Sequence, residues 1–170
     1  MLKFGIIGCG LIGQKRAQAI YQLKNKAELV ACTDINLERA KNLANKYKNV
    51  AIYESWQLLI KDQSIDAVFI STLHDSLSEI SYHSLLAGKN VFVEKPAAKS
   101  AKELLPVIKL AKDTSCKIRV GFNHRYHRAF QKAKKILSEN SFGELMFIRA
   151  RYGHGARLIS LSPFSEIVPT

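Results

Sequence analysis

The chain has no apolar run approaching the roughly 18 residues that a membrane-spanning helix needs. Its first apolar segment is too short and too glycine-rich for the core of a secretory leader, so a cytoplasmic protein with no membrane partner is expected. Cysteine is scarce: Cys9, Cys32 and Cys116 make an odd number with no C-x-x-C pair. This points to buried free thiols in a reducing compartment rather than a disulfide framework. No metal centre is expected, because the histidines fall at 74, 83, 124, 127 and 154 and only His124 and His127 are close together. A structural zinc wants four converging ligands. Acids are few, 14 against 26 Lys and Arg, leaving a net charge of +12. The excess is uneven: residues 109–157 hold twelve bases and three acids. Such a block attracts nucleic acid, a membrane surface or a phosphorylated small molecule. The favoured reading is a solvated face, since Lys132, Lys134 and Lys135 fall opposite the apolar stripe of one helical pattern.

What is present is ordinary for a globular protein: 47% apolar and 24% charged residues. The 170 residues suffice for one domain of usual size, or one domain and a piece of another. Strand and helix patterns alternate through residue 121, with strands expected at 4–7, 29–33, 50–53, 66–71, 91–93 and 117–121. Helical patterns cover 11–23, the stretch bearing Leu37, Ala40, Leu43, Ala44 and Tyr47, then 56–60 and 78–87, the last stopped by Gly88. Ser100 and Glu103 form a capping box for a further helix, which Pro106 should kink or loosen. The rhythm predicts an α/β, doubly wound parallel sheet over 1–121, with ligand at the carboxyl ends of the strands. After Gly121 it changes to a helix bearing Phe130, Ala133, Ile136 and Leu137, then Phe142-Gly143 and a strand near Glu144 to Tyr152. Residues 122–158 therefore read as the start of a second α/β domain.

The sharpest motif is Gly8-Cys9-Gly10-Leu11-Ile12-Gly13, between the first strand and the first helix. Alone, G-x-G-x-x-G is weak; inside a strand, turn, helix, strand unit ending in an acid, it reads as a dinucleotide site. That acid is Asp34, 26 positions after Gly8. Gly8 permits the tight turn, Gly10 lets a pyrophosphate approach bare backbone, and Gly13 lets the helix pack close to the strand. Phosphates would rest on free N–H groups of the helix N-terminus, where Leu11 and Ile12 lie. Asp34 either faces the ribose, favouring NAD over NADP, or caps the helix that follows. Arg39 partly offsets its repulsion of a 2′-phosphate, so NADP stays open.

With this turn, the segments "IDAVFISTLHDSLSEI", "AGKNVFVEKP" and "GFNHRYHRAF" closely resemble the glucose-fructose oxidoreductase, inositol dehydrogenase and MocA family. The resemblance runs from about Lys3 to Arg157, and Glu94-Lys95-Pro96 is its most specific part. It implies a Rossmann fold and an NAD- or NADP-dependent oxidoreductase acting on sugars, polyols and their derivatives. Lys95 would be the catalytic residue, near both nicotinamide and reacting hydroxyl, where its cation orients substrate and steadies a developing alkoxide. Glu94 would organise the lysine and local backbone, and Pro96 would fix the turn, a region where the family often has a cis peptide. Thr72, Leu73 and His74 would line the cofactor cleft, and Asn123 and Arg125 match a segment near cofactor and substrate.

The sequence also departs from the family. Where relatives read Thr-Pro-Asn and then a His three residues on, this chain has Thr72-Leu73-His74 and then Leu77. Family members continue for well over a hundred further residues, supplying an open sheet and a D-x-x-x-H pair; neither is expected here. From about Ile159 the segment "ISLSPFSEIVPT" no longer looks like the family, and a frameshift, a truncated gene and a true short form all account for it. The first expectation is an NAD(H)-binding oxidoreductase domain for a sugar or polyol substrate, lacking part of its catalytic machinery. The second is a non-catalytic dinucleotide-binding or scaffold protein, self-associating as a homo-oligomer. The third, a nucleic-acid binder using residues 109–157, lacks a helix-turn-helix, RRM or KH signature.

Overall fold

The computed structural model describes residues 1–139 and 143–151. Six strands, β1 (Leu2–Ile7), β2 (Ala27–Thr33), β3 (Ala51–Ile52), β4 (Ala67–Ile70), β5 (Asn90–Val93) and β6 (Ile118–Val120), form one parallel sheet in the order β3-β2-β1-β4-β5-β6. The order reverses between β1 and β4, and an open α/β sheet binds its ligand in the crevice beyond that point. The helices between strands are α1 (Leu11–Gln22), α2 (Leu37–Ala44), α3 (Trp56–Lys61), α4 (Leu77–Leu86) and α5 (Ala101–Asp113).

Alternation along each strand divides the core between the two faces of the sheet. Ile7, Val68, Ile70, Val91 and Val93 pack with Leu59, Leu77, Ile80, Leu85 and Val107 of α3, α4 and α5. Ile6, Leu29 and Cys32 pack with Ala17 and Ile20 of α1 and with Ala40 and Leu43 of α2. Each large apolar side chain buried this way contributes roughly 1.5–3 kcal/mol, so the two layers hold the strand ends in fixed register.

Local signals set the ends of the elements. The Asn36 side chain accepts from the Glu38 and Arg39 N–H groups, Ser55 from Leu58, and Ser100 from Glu103. Gly88, at φ +75°, follows α4 in the left-handed region that ends helices. Half of the predicted capping box forms, because the Glu103 carboxylate accepts from the Lys99 N–H instead of that of Ser100.

Helix α5 runs from Ala101 to Asp113 with Pro106 inside it; Pro106 and Lys102 lie on its exposed side, so the carbonyl left without a donor faces water. Two expectations need correction. Cys116 is half-buried, whereas Cys9 and Cys32 are fully buried, because Cys116 falls in the loop before β6 and not in the strand. Residues 144–151 carry no strand: residue type gives a preference, but strand hydrogen bonds form only with a neighbouring strand.

The chain divides into two compact units, Met1–His124 and Arg125–Thr170. In the second, α6 (Arg128–Ser138) exposes Lys132, Lys134 and Lys135, with Phe130 and Leu137 55% and 47% exposed. Phe142, Tyr152 at the end of the expected strand, Arg157 and the 159–170 tail lie outside the described residues.

One polar contact anchors the loop that enters the site. The Tyr53 hydroxyl donates to Asp62 Oδ2 at 2.7 Å, and this bond holds the Asp62 carboxyl below its ordinary range and the Tyr53 phenol above its own. A depressed carboxyl pKa stabilises the fold above the unfolded-state value and loses that contribution as pH falls through the folded one. Tyr53→Phe should therefore cost roughly 0.5–1.5 kcal/mol at pH 7 and almost nothing at a pH below the carboxylate range. Urea melts of both proteins at the two pH values test this, and an equal cost at both would remove Asp62 from the explanation.

Candidate functional site

The turn after β1 is built on backbone constraints. Gly8 adopts φ +93°, and a Cβ there would lie 2.6 Å from the Ser71 carbonyl oxygen. Its N–H donates to Thr33 O at 2.9 Å, and its own carbonyl accepts from Ser71 Oγ at 2.9 Å. A Cβ on Gly13 would fall 2.0 Å from Gly8 O, so the first turn of α1 sits directly against the end of β1. Gly10 is different: its backbone is extended (φ −66°, ψ −165°) and a Cβ would meet nothing within 4 Å. Neither backbone strain nor packing requires glycine there. Helix α1 begins with no side-chain cap and no acid in its first turn, which suits its N–H groups to a bound anion.

Asp34 ties the second strand to this turn. Its Oδ2 accepts from Cys9 N–H at 2.7 Å and its Oδ1 from Asn36 N–H at 2.8 Å. Asn36, not Asp34, caps α2. Beneath the turn the fully buried Cys9 thiol donates to Thr33 O at 3.4 Å, and the neighbouring Cys32 thiol together with burial pushes its pKa up. Cys9 is thus a packed thiol of the core. Beside Asp34 opens a cleft of about 570 Å³ whose lining includes Gly8, Gly10, Asp34, Thr72 and Leu73. Its charged lining consists of Asp34, Glu54 and Asp75 against one base, Arg39. The volume suits a small organic ligand, and the Gly10 gap and uncapped helix suit a pyrophosphate, so the residues present fit a dinucleotide.

Glu94, Lys95 and Pro96 follow β5, with a cis peptide joining Lys95 to Pro96. Lys95 is exposed. The Glu94 carboxylate pairs with Arg16 of α1, accepting from Nε at 2.9 Å and also from the terminal Nη2.

The remaining predicted residues are spread. His74 lies exposed on the turn before α4, outside the cleft lining, while the Ser76 hydroxyl donates to Thr72 Oγ1 at 2.9 Å. Leu11 and Ile12 are 72% and 37% exposed at the start of α1. Asn123 is exposed near the end of the first unit, and Arg125, also exposed, opens the second. Sequence reasoning missed Arg16, Ser71 and Trp56. Arg16 was accessible in principle: it lies three residues after Gly13, hence on the helix face packed toward β1. Ser71 and Trp56 carried no such signal, since the first is recognised only by its bond to Gly8 O and the second only by its place in the cleft lining.

Comparison with known proteins agrees with this geometry. The sequence model described as "Oxidoreductase family, NAD-binding Rossmann fold" matches residues 2–122. Inositol 2-dehydrogenase/D-chiro-inositol 3-dehydrogenase of Halalkalibacterium halodurans is 31% identical over 153 residues, covering 89% of this chain and 44% of that protein. Trans-1,2-dihydrobenzene-1,2-diol dehydrogenase of Xenopus tropicalis is 29% identical over 152 residues, covering 89% and 46%. Among solved structures, myo-inositol dehydrogenase of Lactobacillus casei, in complex with NAD(H) and myo-inositol, superposes with a TM-score of 0.80 at 29% identity, covering 84% of this chain and 43% of that one. The chain thus spans a little under half the length of these relatives. With the family pattern matched across the whole six-stranded sheet and its glycine turn, this chain belongs to the Gfo/Idh/MocA family of NAD-binding Rossmann-fold oxidoreductases.

Proposed function

We propose that the cleft binds NAD(H) in preference to NADP(H), and that the reaction it serves is hydride transfer at a hydroxyl-bearing carbon of a polyol, with the inositols the favoured class. The observation that carries the cofactor reading is Gly10, a glycine that only a ligand requires. The pyrophosphate would rest on the backbone of residues 8–13, and the adenosine ribose would face Asp34 on the β2 side. The nicotinamide end would then extend the other way, across β4 toward β5 and the Glu94-Lys95-Pro96 turn. NAD(H), when bound, supplies the hydride acceptor or donor. Lys95 would hold the substrate hydroxyl by hydrogen bond and stabilise the alkoxide that develops there, an interaction strongest in the transition state. The polyol class rests on the names of the relatives, and hydride transfer concerns the whole protein; cofactor binding is testable on this chain directly.

Trp56 is the one tryptophan in the sequence and lines the cleft, so its fluorescence should be quenched by transfer to bound dihydronicotinamide. Gly10→Val should cost no more than about 1 kcal/mol of stability, that of a poorer N-cap, because its Cβ enters open space, while lowering NADH affinity at least tenfold by occupying the pyrophosphate position. Titration of both proteins with NADH, by Trp56 quenching and calorimetry, decides the matter. Equal affinities would overturn the reading.

A further inference from the structure

We propose that Arg16 is a positioning residue for Lys95: it ties Glu94 to α1, so that the helix receiving the pyrophosphate also sets the turn presenting the lysine. This rests on the roles given above to the glycine turn and to Lys95. Arg16 and Glu94 are 78 residues apart in sequence, and their side chains are 23% and 14% exposed. The guanidinium also lies over the Phe92 ring, its Cζ 5.5 Å from the centroid. The Glu94 backbone is fixed separately, its N–H donating to Ile70 O at 2.9 Å. A Cβ at Gly121, the residue after β6, would fall 3.1 Å from Glu94 Oε2, so the chain leaving β6 makes room for this carboxylate.

The contacts form a short rigid path. Gly13 presses α1 against Gly8 O; one helical turn later Arg16 grips Glu94; the next residue is Lys95. A pair this enclosed contributes little net stability, since desolvation offsets much of its Coulomb attraction. Its value lies in geometry: the planar fork bonds one carboxylate while its face covers an aromatic ring, and a lysine ammonium cannot do both. The elements at the two ends of the dinucleotide site are thereby held in one register.

The experiment compares two ligands on the intact chain. ADP carries adenosine and pyrophosphate but no nicotinamide, whereas NADH also reaches the Lys95 turn. Arg16→Met and Glu94→Gln should each lower NADH affinity roughly tenfold while leaving ADP affinity within about twofold, and Arg16→Lys should fall between. The double variant should be no worse than either single one, because the two residues act as a unit. In parallel, NAD should protect Lys95 from acetylation by an N-hydroxysuccinimide ester, read by peptide mass spectrometry, and Arg16→Met should abolish that protection. Glu94→Gln serves if Arg16→Met fails to fold. Equal loss of NADH and ADP affinity, or native affinity with native Lys95 protection in a folded variant, would overturn the positioning role while leaving the cofactor reading intact. If the native chain binds neither ligand, the cofactor reading falls and takes this proposal with it.

Discussion

Gly13→Ala should destabilise the protein by roughly 3 kcal/mol, lowering the thermal midpoint by about 10 °C. The usual sign is the reverse, since alanine in a helix is favoured over glycine by about 1 kcal/mol. Here the new methyl would lie 2.0 Å from Gly8 O and 3.2 Å from Ser71 Oγ. The nearer obstacle is backbone, fixed by β1, and cannot rotate away. Either α1 lifts from the sheet, uncovering Ala17 and Ile20, or the turn distorts and loses its bonds to Thr33 and Ser71. Ala19→Gly, on the exposed side of the same helix, is the control and should cost only about 1 kcal/mol. A Gly13→Ala protein at least as stable as the native one, measured by thermal and urea melts, would mean that the close approach of α1 to β1 is not there in solution.

Asp34→Ala should weaken NADH binding by about 10- to 100-fold and NADPH binding much less, because a carboxylate hydrogen bond contributes roughly 1.5–3 kcal/mol. The loss has two sources. Removing Asp34 frees the Cys9 and Asn36 N–H groups that brace the phosphate turn, and it removes the proposed acceptor for the ribose hydroxyls. For NADPH the same change also removes a repulsive charge, which offsets part of the loss. Glu54 and Asp75 line the same cleft and Arg39 is the one base among its lining residues, so the native protein should favour NADH by at least tenfold and Asp34→Ala should narrow that ratio without reversing it. Asp34→Asn, which keeps one acceptor oxygen but loses the charge, should fall between. Competitive titrations with both cofactors measure the ratio; a native protein binding NADPH more tightly would remove Asp34 from its selectivity role.

How legible each part was depended on whether its cause is local. The six strands of the first unit were readable because apolar runs such as Ala67-Val68-Phe69-Ile70 are what a strand buried on both faces demands, and boundaries shifted only by a residue or two. The glycine turn was readable because its spacing and its place between one strand and one helix are local, Gly8 and Gly13 answering steric needs of the turn and Gly10 none. The strand expected near Glu144 was not, since residue type states a preference while a strand exists only with a partner. What Pro106 costs α5 depends on which side of the helix faces water, and the helix pattern alone did not fix that.

The sequence by itself determined the alternating α/β order, the dinucleotide turn, the acid after β2 and the likeness around Glu94-Lys95-Pro96. These follow from period, spacing and residue type within about thirty positions of one another. Only the tertiary structure decided that Asp34 braces the turn and that Glu94 is held by Arg16. Both contacts join segments that follow different strands, and strand order in a parallel sheet is set by long-range packing of two apolar layers. No short window of residues contains that information.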